Sequence, residues 1–254
     1  MSASAGTLDE LGGMRLLDIQ ARTRFELGEA GRLVAENSPD RSPAPRLWLA
    51  GSAEGNAVWF RADVPEEIVE EVSALVAEEP ALIEPESVPV HLDEYTTLLA
   101  ADTPVEEVSH DITYTIPHDL AYEGDVRIVS SDTDEGDALL AHMEADGMHE
   151  GLREMGFTDP THLWPPWSVV LEDEEVASIA FTARLSSEGA ELGVATPPSF
   201  RRRGYARVTT AAWAALPELA ERVLFYSTEL TNIPSRGLAS QLGLPFLGAG
   251  LSVS

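Results

Sequence analysis

The sequence contains no cysteine and no lysine. Without cysteine there is no disulfide framework, no thiolate nucleophile and no cysteine-ligated zinc or iron–sulfur site. Without lysine there is no P-loop phosphate clamp, no Schiff base to a carbonyl substrate or pyridoxal phosphate, and no Ser-x-x-Lys acylase. Apolar runs of about 18 residues are also missing, so no membrane-spanning helix is expected. Met1-Ser2-Ala3-Ser4-Ala5-Gly6 has no basic stretch followed by an apolar one, so a secretory signal is not expected either. A cytoplasmic protein is the default reading.

Positive charge is scarce. Sixteen basic residues face 44 acidic ones, leaving a net charge of −28. This polyanion is unsuited to nucleic acid or anionic membrane as partner, and its acidity also fits a halophilic source. With 44% hydrophobic and 7% aromatic residues over 254 positions, the chain nevertheless has the composition of a folded protein of one or two domains. The few cations are unevenly placed. Residues 196–254 hold six arginines against three acids, a net of +3, and Arg201, Arg202 and Arg203 are adjacent.

Periodicity predicts a helix over 8–23, a loop at Asn37 to Arg46, and a hairpin of Arg46–Ala50 with Ala57–Arg61. An amphipathic helix with Pro65 in its first turn follows, to Glu79. A second unit is expected to begin near Glu123-Gly124-Asp125, giving an N-terminal accessory domain at 1–122 and a second domain at 123–254. Its elements are a strand at Val126–Val129, a helix capped by Ser131 with Asp134, and a hairpin at Val169–Leu171 and Val176–Arg184. Next come a strand at Glu191–Thr196, a helix at Gly204–Leu216, a strand at Val223–Ser227, a helix at Ile233–Leu242 stopped by Gly243, and a last strand at Phe246–Val253.

The chemistry concentrates between Glu191 and Ala206. There a strand runs into Pro197-Pro198, then an Arg- and Gly-containing turn, then an amphipathic helix. Free amides of such a turn and the positive end of the helix converge on one point and suit an anion. Gly204 allows close approach of backbone to ligand, and arginines add charge that suits pyrophosphate.

Arg201-x-x-Gly204-x-Ala206, preceded by Val194-x-Thr196-Pro197-Pro198, resembles the acetyl-CoA loop of the GNAT acetyltransferase superfamily. Asn232-x-x-Ser235-x-x-Leu238-Ala239-x-x-Leu242-Gly243-Leu244 is similar to the helix that follows in that family. The resemblance covers about residues 125 to 254. It implies an α/β (α+β) fold: a mixed, mostly antiparallel sheet with flanking helices and a V-shaped splay between two parallel strands, beside a smaller N-terminal α/β domain. By the same resemblance, Val194, Ala195 and Thr196 meet the acetyl and pantetheine portions of acetyl-CoA. Arg201, Arg202, Arg203, Gly204, Tyr205 and Ala206 hold its pyrophosphate, and Asn232 and Ser235 lie at the pantetheine or thiol end. Glu191 falls where many members place the carboxylate that deprotonates the acceptor ammonium, which cannot attack a thioester until that proton leaves.

The resemblance therefore implies direct acetyl transfer to a primary amine, as a small molecule or peptide N-terminus, in a ternary complex, with a homodimer as one assembly. The sequence departs from the family at Ala239, where many members have the tyrosine that protonates the departing thiolate. Ser235 and Tyr226 are the substitute candidates. The missing tyrosine motivates an alternative reading, a non-catalytic acetyl-CoA-binding sensor. The N-terminal domain reads as an accessory domain or a worn second copy of the fold.

The remaining motifs point elsewhere. His142 and His149 follow the first strand of the second domain, where solvated or packed imidazoles are the ordinary case, with a place by the acceptor pocket as the sharper option. Trp164-Pro165-Pro166-Trp167 reads as a structural aromatic cluster. Asp132-x-Asp134-x-Gly136 has glycine at the third ligand position of a calcium loop, and His149-Glu150 lacks the second histidine of a zinc-protease helix, so no metal is expected.

Overall fold

The computed structural model describes residues 11–122 and 126–254. Residues 1–10, with Leu8 of the first expected helix, lie outside the described residues, as do Glu123, Gly124 and Asp125, the expected start of the second domain. The chain divides into two compact units. One takes Met1–Thr115, Ser227–Gly237 and Pro245–Ser254; the other takes Ile116–Tyr226 and Leu238–Leu244.

In the first unit, helix α1 (Gly13–Arg24) leads into a short pair, β1 (Phe25–Leu27) and β2 (Leu33–Glu36). Strands β3 (Leu47–Ser52) and β4 (Gly55–Phe60) form the expected hairpin, and helix α2 spans Glu66–Glu78 with Pro65 as its N-cap. Helix α3 (Leu92–Asp102), strand β5 (Val108–Thr115) and strand β11 (Phe246–Val253) complete it. The sheet runs β4-β3-β11-β5, and its three pairings are antiparallel. Every residue of β3 is buried because both faces are covered. Leu47 and Leu49 pack with Val72, Val76, Tyr95 and Leu99 of α2 and α3, while Trp48 and Ala50 pack with Leu17, Ala21 and Phe25. That two-sided burial explains why the sequence there is a continuous apolar run with no alternation.

Two buried polar side chains tie this unit's helices. Arg46, 2% exposed, donates to the carbonyls of Leu99 and Thr103 at 2.9 and 2.7 Å and to Asp102 at 2.7 Å, closing the C-terminal end of α3 where carbonyls lack helical partners. Glu79 accepts from the amides of Val90 and His91 and from the Tyr95 hydroxyl. Burial, and then the adjoining Glu79 carboxylate, push the Tyr95 phenol well above its ordinary range.

The second unit contains strand β6 (Arg127–Ser130), helices α4 (Asp134–Asp146) and α5 (Glu150–Glu154), strands β7 (Trp167–Glu172), β8 (Glu175–Leu185) and β9 (Gly189–Ala195), and helix α6 (Tyr205–Ala214). Strand β10 (Val223–Glu229) and helix α7 (Ile233–Leu242) each contribute residues to both units. The strand order is β10-β9-β8-β7-β6. Pairings among β6, β7, β8 and β9 are antiparallel, and β10 pairs with β9 in parallel. The β7–β8 turn has Asp173 and Glu174 both at positive φ, 50° and 64°, as a two-residue hairpin with right-handed twist requires. Trp167, Val169, Val176 and Ile179 face the cluster built with Met143 and Leu152, whereas Val170 and Ala177 pack with Val208 of α6.

One capping assignment changes. The side chain at the start of α4 is that of Thr133, which accepts from the Gly136 amide at 3.0 Å. Ser131 instead accepts from the amide of Trp167 at 3.0 Å. Thr133 lies immediately before the helix and Ser131 does not, so only Thr133 can reach the first-turn donors.

Candidate functional site

Strand β9 enters the site through Glu191. This residue is 3% exposed and sits between two neighbours: Arg184 opposite it on β8 and Phe225 beside it on β10. The Arg184 guanidinium holds its carboxylate at 3.0 Å. The parallel register runs from Val223↔Gly189 to Phe225↔Glu191 and stops there. Strand β9 continues to Ala195 paired with β8 alone, so the two parallel strands part immediately after Glu191. Tyr226, the next residue of β10, is 4% exposed.

Past Ala195 the chain turns sharply. Pro197 and Pro198 fix an extended backbone and then one 3-10 turn, Pro198–Phe200. Arg202 takes a φ of 64° and Gly204 a φ of 86°, and α6 starts at Tyr205. Two left-handed residues so close together, followed by a helix start, aim successive amides toward one side. Arg201 and Arg202 are the central residues of a turn that closes at the Arg203 amide; among the described residues, the amides of Arg202, Gly204, Tyr205 and Ala206 have no backbone carbonyl as acceptor, and the first helical donors are Arg207 and Val208, both to Gly204. Such free amides at the positive end of a helix form a cradle of a kind that suits an anion.

The arginine side chains are used differently from one another. Arg201 donates through Nε to the Thr196 carbonyl at 3.1 Å and braces the turn. Arg203 pairs with Glu172 at 2.6 Å and lies over the Phe200 ring at 5.4 Å. Arg202 is exposed. Thr196 is held from below, its hydroxyl 2.8 Å from that of Ser178.

Glu191, Val194 to Ala206 and Tyr226 all belong to the second unit. Asn232 and Ser235 belong to the first. Asn232 precedes α7 and accepts through Oδ1 from the Ser235 amide at 3.1 Å, which makes it a helix cap. The far end of α7 closes with Gly243 at φ 64°, its amide bonded to Ser240 and that of Leu244 to Ala239, the paired bonds of a Schellman turn. His142 lies 3.0 Å from Asp146, and His149 lies 3.4 Å from Glu175. Among the described residues, no group of three or more His, Cys, Asp or Glu could hold a metal ion, and no helix is long and apolar enough to cross a membrane. Trp167 is core, and the Pro166 carbonyl accepts from the Trp213 indole at 3.0 Å and the Thr182 hydroxyl at 2.8 Å, so this aromatic segment has a packing role.

Three residues of this site escape a reading of the sequence: Arg184, Ser178 and Thr209. Each meets its partner across strands or between strand and helix. Only the hairpin register of β8 with β9 would have paired Arg184 with Glu191.

Residues 168–248 match the family model described as GNAT acetyltransferase. No curated protein matches the sequence. Solved structures similar to it include a protein ascribed to the GNAT acetyltransferase family from Novosphingobium aromaticivorans, at 20% identity and a TM-score of 0.40, covering 59% of this chain. The chain spans 65% of that relative's length. A GCN5-related N-acetyltransferase from Kribbella flavida is 14% identical with a TM-score of 0.43, covering 95% of this chain and 93% of its own. An aminoglycoside N-acetyltransferase crystallised with CoA is 25% identical with a TM-score of 0.28, covering 47% of this chain and 90% of its own.

Proposed function

We propose that this chain is an acyl-CoA-dependent N-acyltransferase that moves an acetyl group from acetyl-CoA to a primary amine. One observation carries the reading: the amides of Arg202, Gly204, Tyr205 and Ala206, left without backbone acceptors at the start of α6, directly after a strand that parts from its parallel neighbour. The cradle suits the diphosphate of the coenzyme, and the free flank of β9 from Leu192 to Ala195 suits its extended arm. The match of residues 168–248 to the GNAT family model supports the same assignment.

In this mechanism Glu191 accepts a proton from the acceptor ammonium. The amine nitrogen attacks the thioester carbonyl, the carbon–sulfur bond breaks, and the departing thiolate takes up a proton. Tyr226 is the candidate within the same unit to supply it. With no cysteine in the chain, the acetyl group passes directly between the two substrates.

A second reading draws on the Arg184–Glu191 pair. The Glu191 carboxylate is already engaged by the Arg184 guanidinium at 3.0 Å. Together with Ala239 in the family's tyrosine position, this favours a protein that binds acetyl-CoA without transferring its group. One experiment separates the two. Calorimetry with acetyl-CoA measures binding, and release of free thiol in the presence of peptides, polyamines and aminoglycosides measures transfer. Binding with thiol release supports the enzyme, binding without it supports the sensor, and no binding refutes both.

A further inference from the structure

Thr196, Ser178 and Thr209 form a chain of three hydroxyls beneath the anion cradle. The antiparallel register Ile179↔Ala195 continued by one residue sets Ser178 opposite Thr196. The irregularity in the β7–β8 pairing skips Ala177, and Ser178 reaches α6. Ser178 and Thr209 are fully buried, while Thr196 is partly exposed at the lip of the turn. Ser178 Oγ is 2.8 Å from Thr196 Oγ1, 3.2 Å from Thr209 Oγ1 and 3.2 Å from the Ala195 carbonyl. Thr209 Oγ1 is 3.1 Å from the Tyr205 carbonyl and 3.2 Å from that of Ala206.

Each hydroxyl has one proton to give and two lone pairs to receive with. Thr209 gives its proton back to the preceding helical turn, as a threonine within a helix does. It can therefore only receive from Ser178. Ser178 thus spends its proton on Thr209, with the Ala195 carbonyl as a shared acceptor, and can only receive from Thr196. The Thr196 proton is thereby drawn inward. The reverse order would take Thr209 off both helical carbonyls and turn the Thr196 proton out to solvent, with one fewer hydrogen bond inside the protein.

We propose that Ser178 and Thr209 are positioning residues that fix Thr196 as a pure hydrogen-bond acceptor at the mouth of the site, where it takes an amide N–H of the acyl-CoA pantetheine arm. The inference rests on the acyl-CoA reading above and adds a direction to it. A phosphate oxygen only accepts and finds no partner in such a hydroxyl. The chain therefore separates two kinds of recognition: the free backbone amides of Arg202 and Gly204 to Ala206 for the diphosphate, and an oriented oxygen at Thr196 for the arm.

The test is calorimetric, with acetyl-CoA and ADP as paired probes, since ADP carries the diphosphate and lacks the arm. Thr196→Val is expected to weaken acetyl-CoA by about fivefold, the worth of one ordinary hydrogen bond, and to leave ADP unchanged. Thr209→Val removes one of the two inward acceptors of the Ser178 proton at nearly constant shape, leaving the Ala195 carbonyl to compete with Thr196 for it, and is expected to weaken acetyl-CoA by about twofold with ADP again unchanged. Thr209→Ser keeps the hydroxyl and is expected to bind both probes as the unmutated chain does. If Thr209→Ser is worse than Thr209→Val, packing and not the proton order is at work, and the proposal is overturned. Parallel losses for the two probes, or no loss for any variant, overturn it as well. Should Thr209→Val not fold by circular dichroism, Ser178→Ala is read against the same expectations. An unmutated chain that binds neither probe refutes the acyl-CoA reading itself, whereas one that binds both while the variants disobey the pattern refutes only the hydroxyl order.

Discussion

Gly204 and Gly243 form a matched pair that separates backbone strain from ligand contact. Both lie at positive φ, 86° and 64°, and a Cβ built on either meets nothing within 4 Å. Alanine at either position is therefore free of clashes and suffers the left-handed penalty alone. That penalty is about 1–2 kcal/mol, offset in part by about 0.4–1 kcal/mol of lost freedom in the unfolded chain. A net cost near 1 kcal/mol lowers Tm by about 2–4 °C in a chain of this size. Gly204→Ala and Gly243→Ala should melt alike. They should differ in binding, because Gly204 stands among the amides of the cradle and Gly243 closes α7. A diphosphate oxygen must come within about 2.9 Å of those amides, and a methyl in that space should weaken acetyl-CoA at least about tenfold, roughly 1.4 kcal/mol. Calorimetry and thermal melts on the two variants make the comparison. Equal affinities for acetyl-CoA in both would refute the assignment of the cradle to the diphosphate, whatever the melting temperatures.

Glu191→Gln should lower kcat by about 100-fold or more while leaving the Kd for acetyl-CoA unchanged, in line with the loss of a general base; an unaltered kcat in the thiol-release assay removes Glu191 from that role. Arg46→Met should destabilise the first unit by about 2–4 kcal/mol in urea unfolding, since it strips the Leu99 and Thr103 carbonyls and Asp102 of their donor; a change below about 0.5 kcal/mol would show those bonds to be dispensable. The raised Tyr95 phenol makes a prediction in alkali. Its folded form keeps the proton that the unfolded chain gives up near pH 10, so the stability it contributes is complete below about pH 10 and is lost as pH climbs beyond. Tyr95→Phe should flatten the decline in Tm above about pH 10, leaving the smaller share of Tyr114, whose phenol burial also raises. An identical decline in the variant would refute the assignment.

What the sequence discloses follows how far its information is local. The turn from Pro197 to Gly204, the helix ended by Gly243 and the β7–β8 hairpin are specified by neighbouring residues with fixed backbone preferences, and each is legible from those residues alone. Strand β5 and helix α3 are not foreseen, for two reasons. Val108–Thr115 alternates in polarity because Ile112 faces the α2 and α3 cluster while Thr113 meets Gln20 of α1 at 2.7 Å, and its polar residues disguise a central strand. Leu92–Asp102 has only Tyr95 and Leu99 fully buried, too narrow a stripe to stand out after three prolines. The cradle is visible in the sequence as a motif, whereas its support by Ser178, Thr209 and Arg184 depends on strand register, which no single segment encodes.

The arginine triplet shows how the same residues change meaning between sequence and structure. As letters they suggest a cluster of cations gathered to neutralise phosphate. In the fold, Arg201 braces the Thr196 carbonyl and Arg203 is engaged by Glu172 and Phe200, so two of the three are bound within the protein itself. Their structural contribution is to hold the turn in which Arg202 and Gly204 adopt left-handed backbone. On the proposed reading, the grip on the diphosphate would then come mainly from oriented amides in hydrogen-bond contact and less from the guanidinium groups. For a chain with a net charge of −28 the proposed reading has a further consequence: the surrounding carboxylates repel a polyphosphate, salt screens that long-range repulsion, and direct hydrogen bonds from the amides at contact distance would be what holds the ligand.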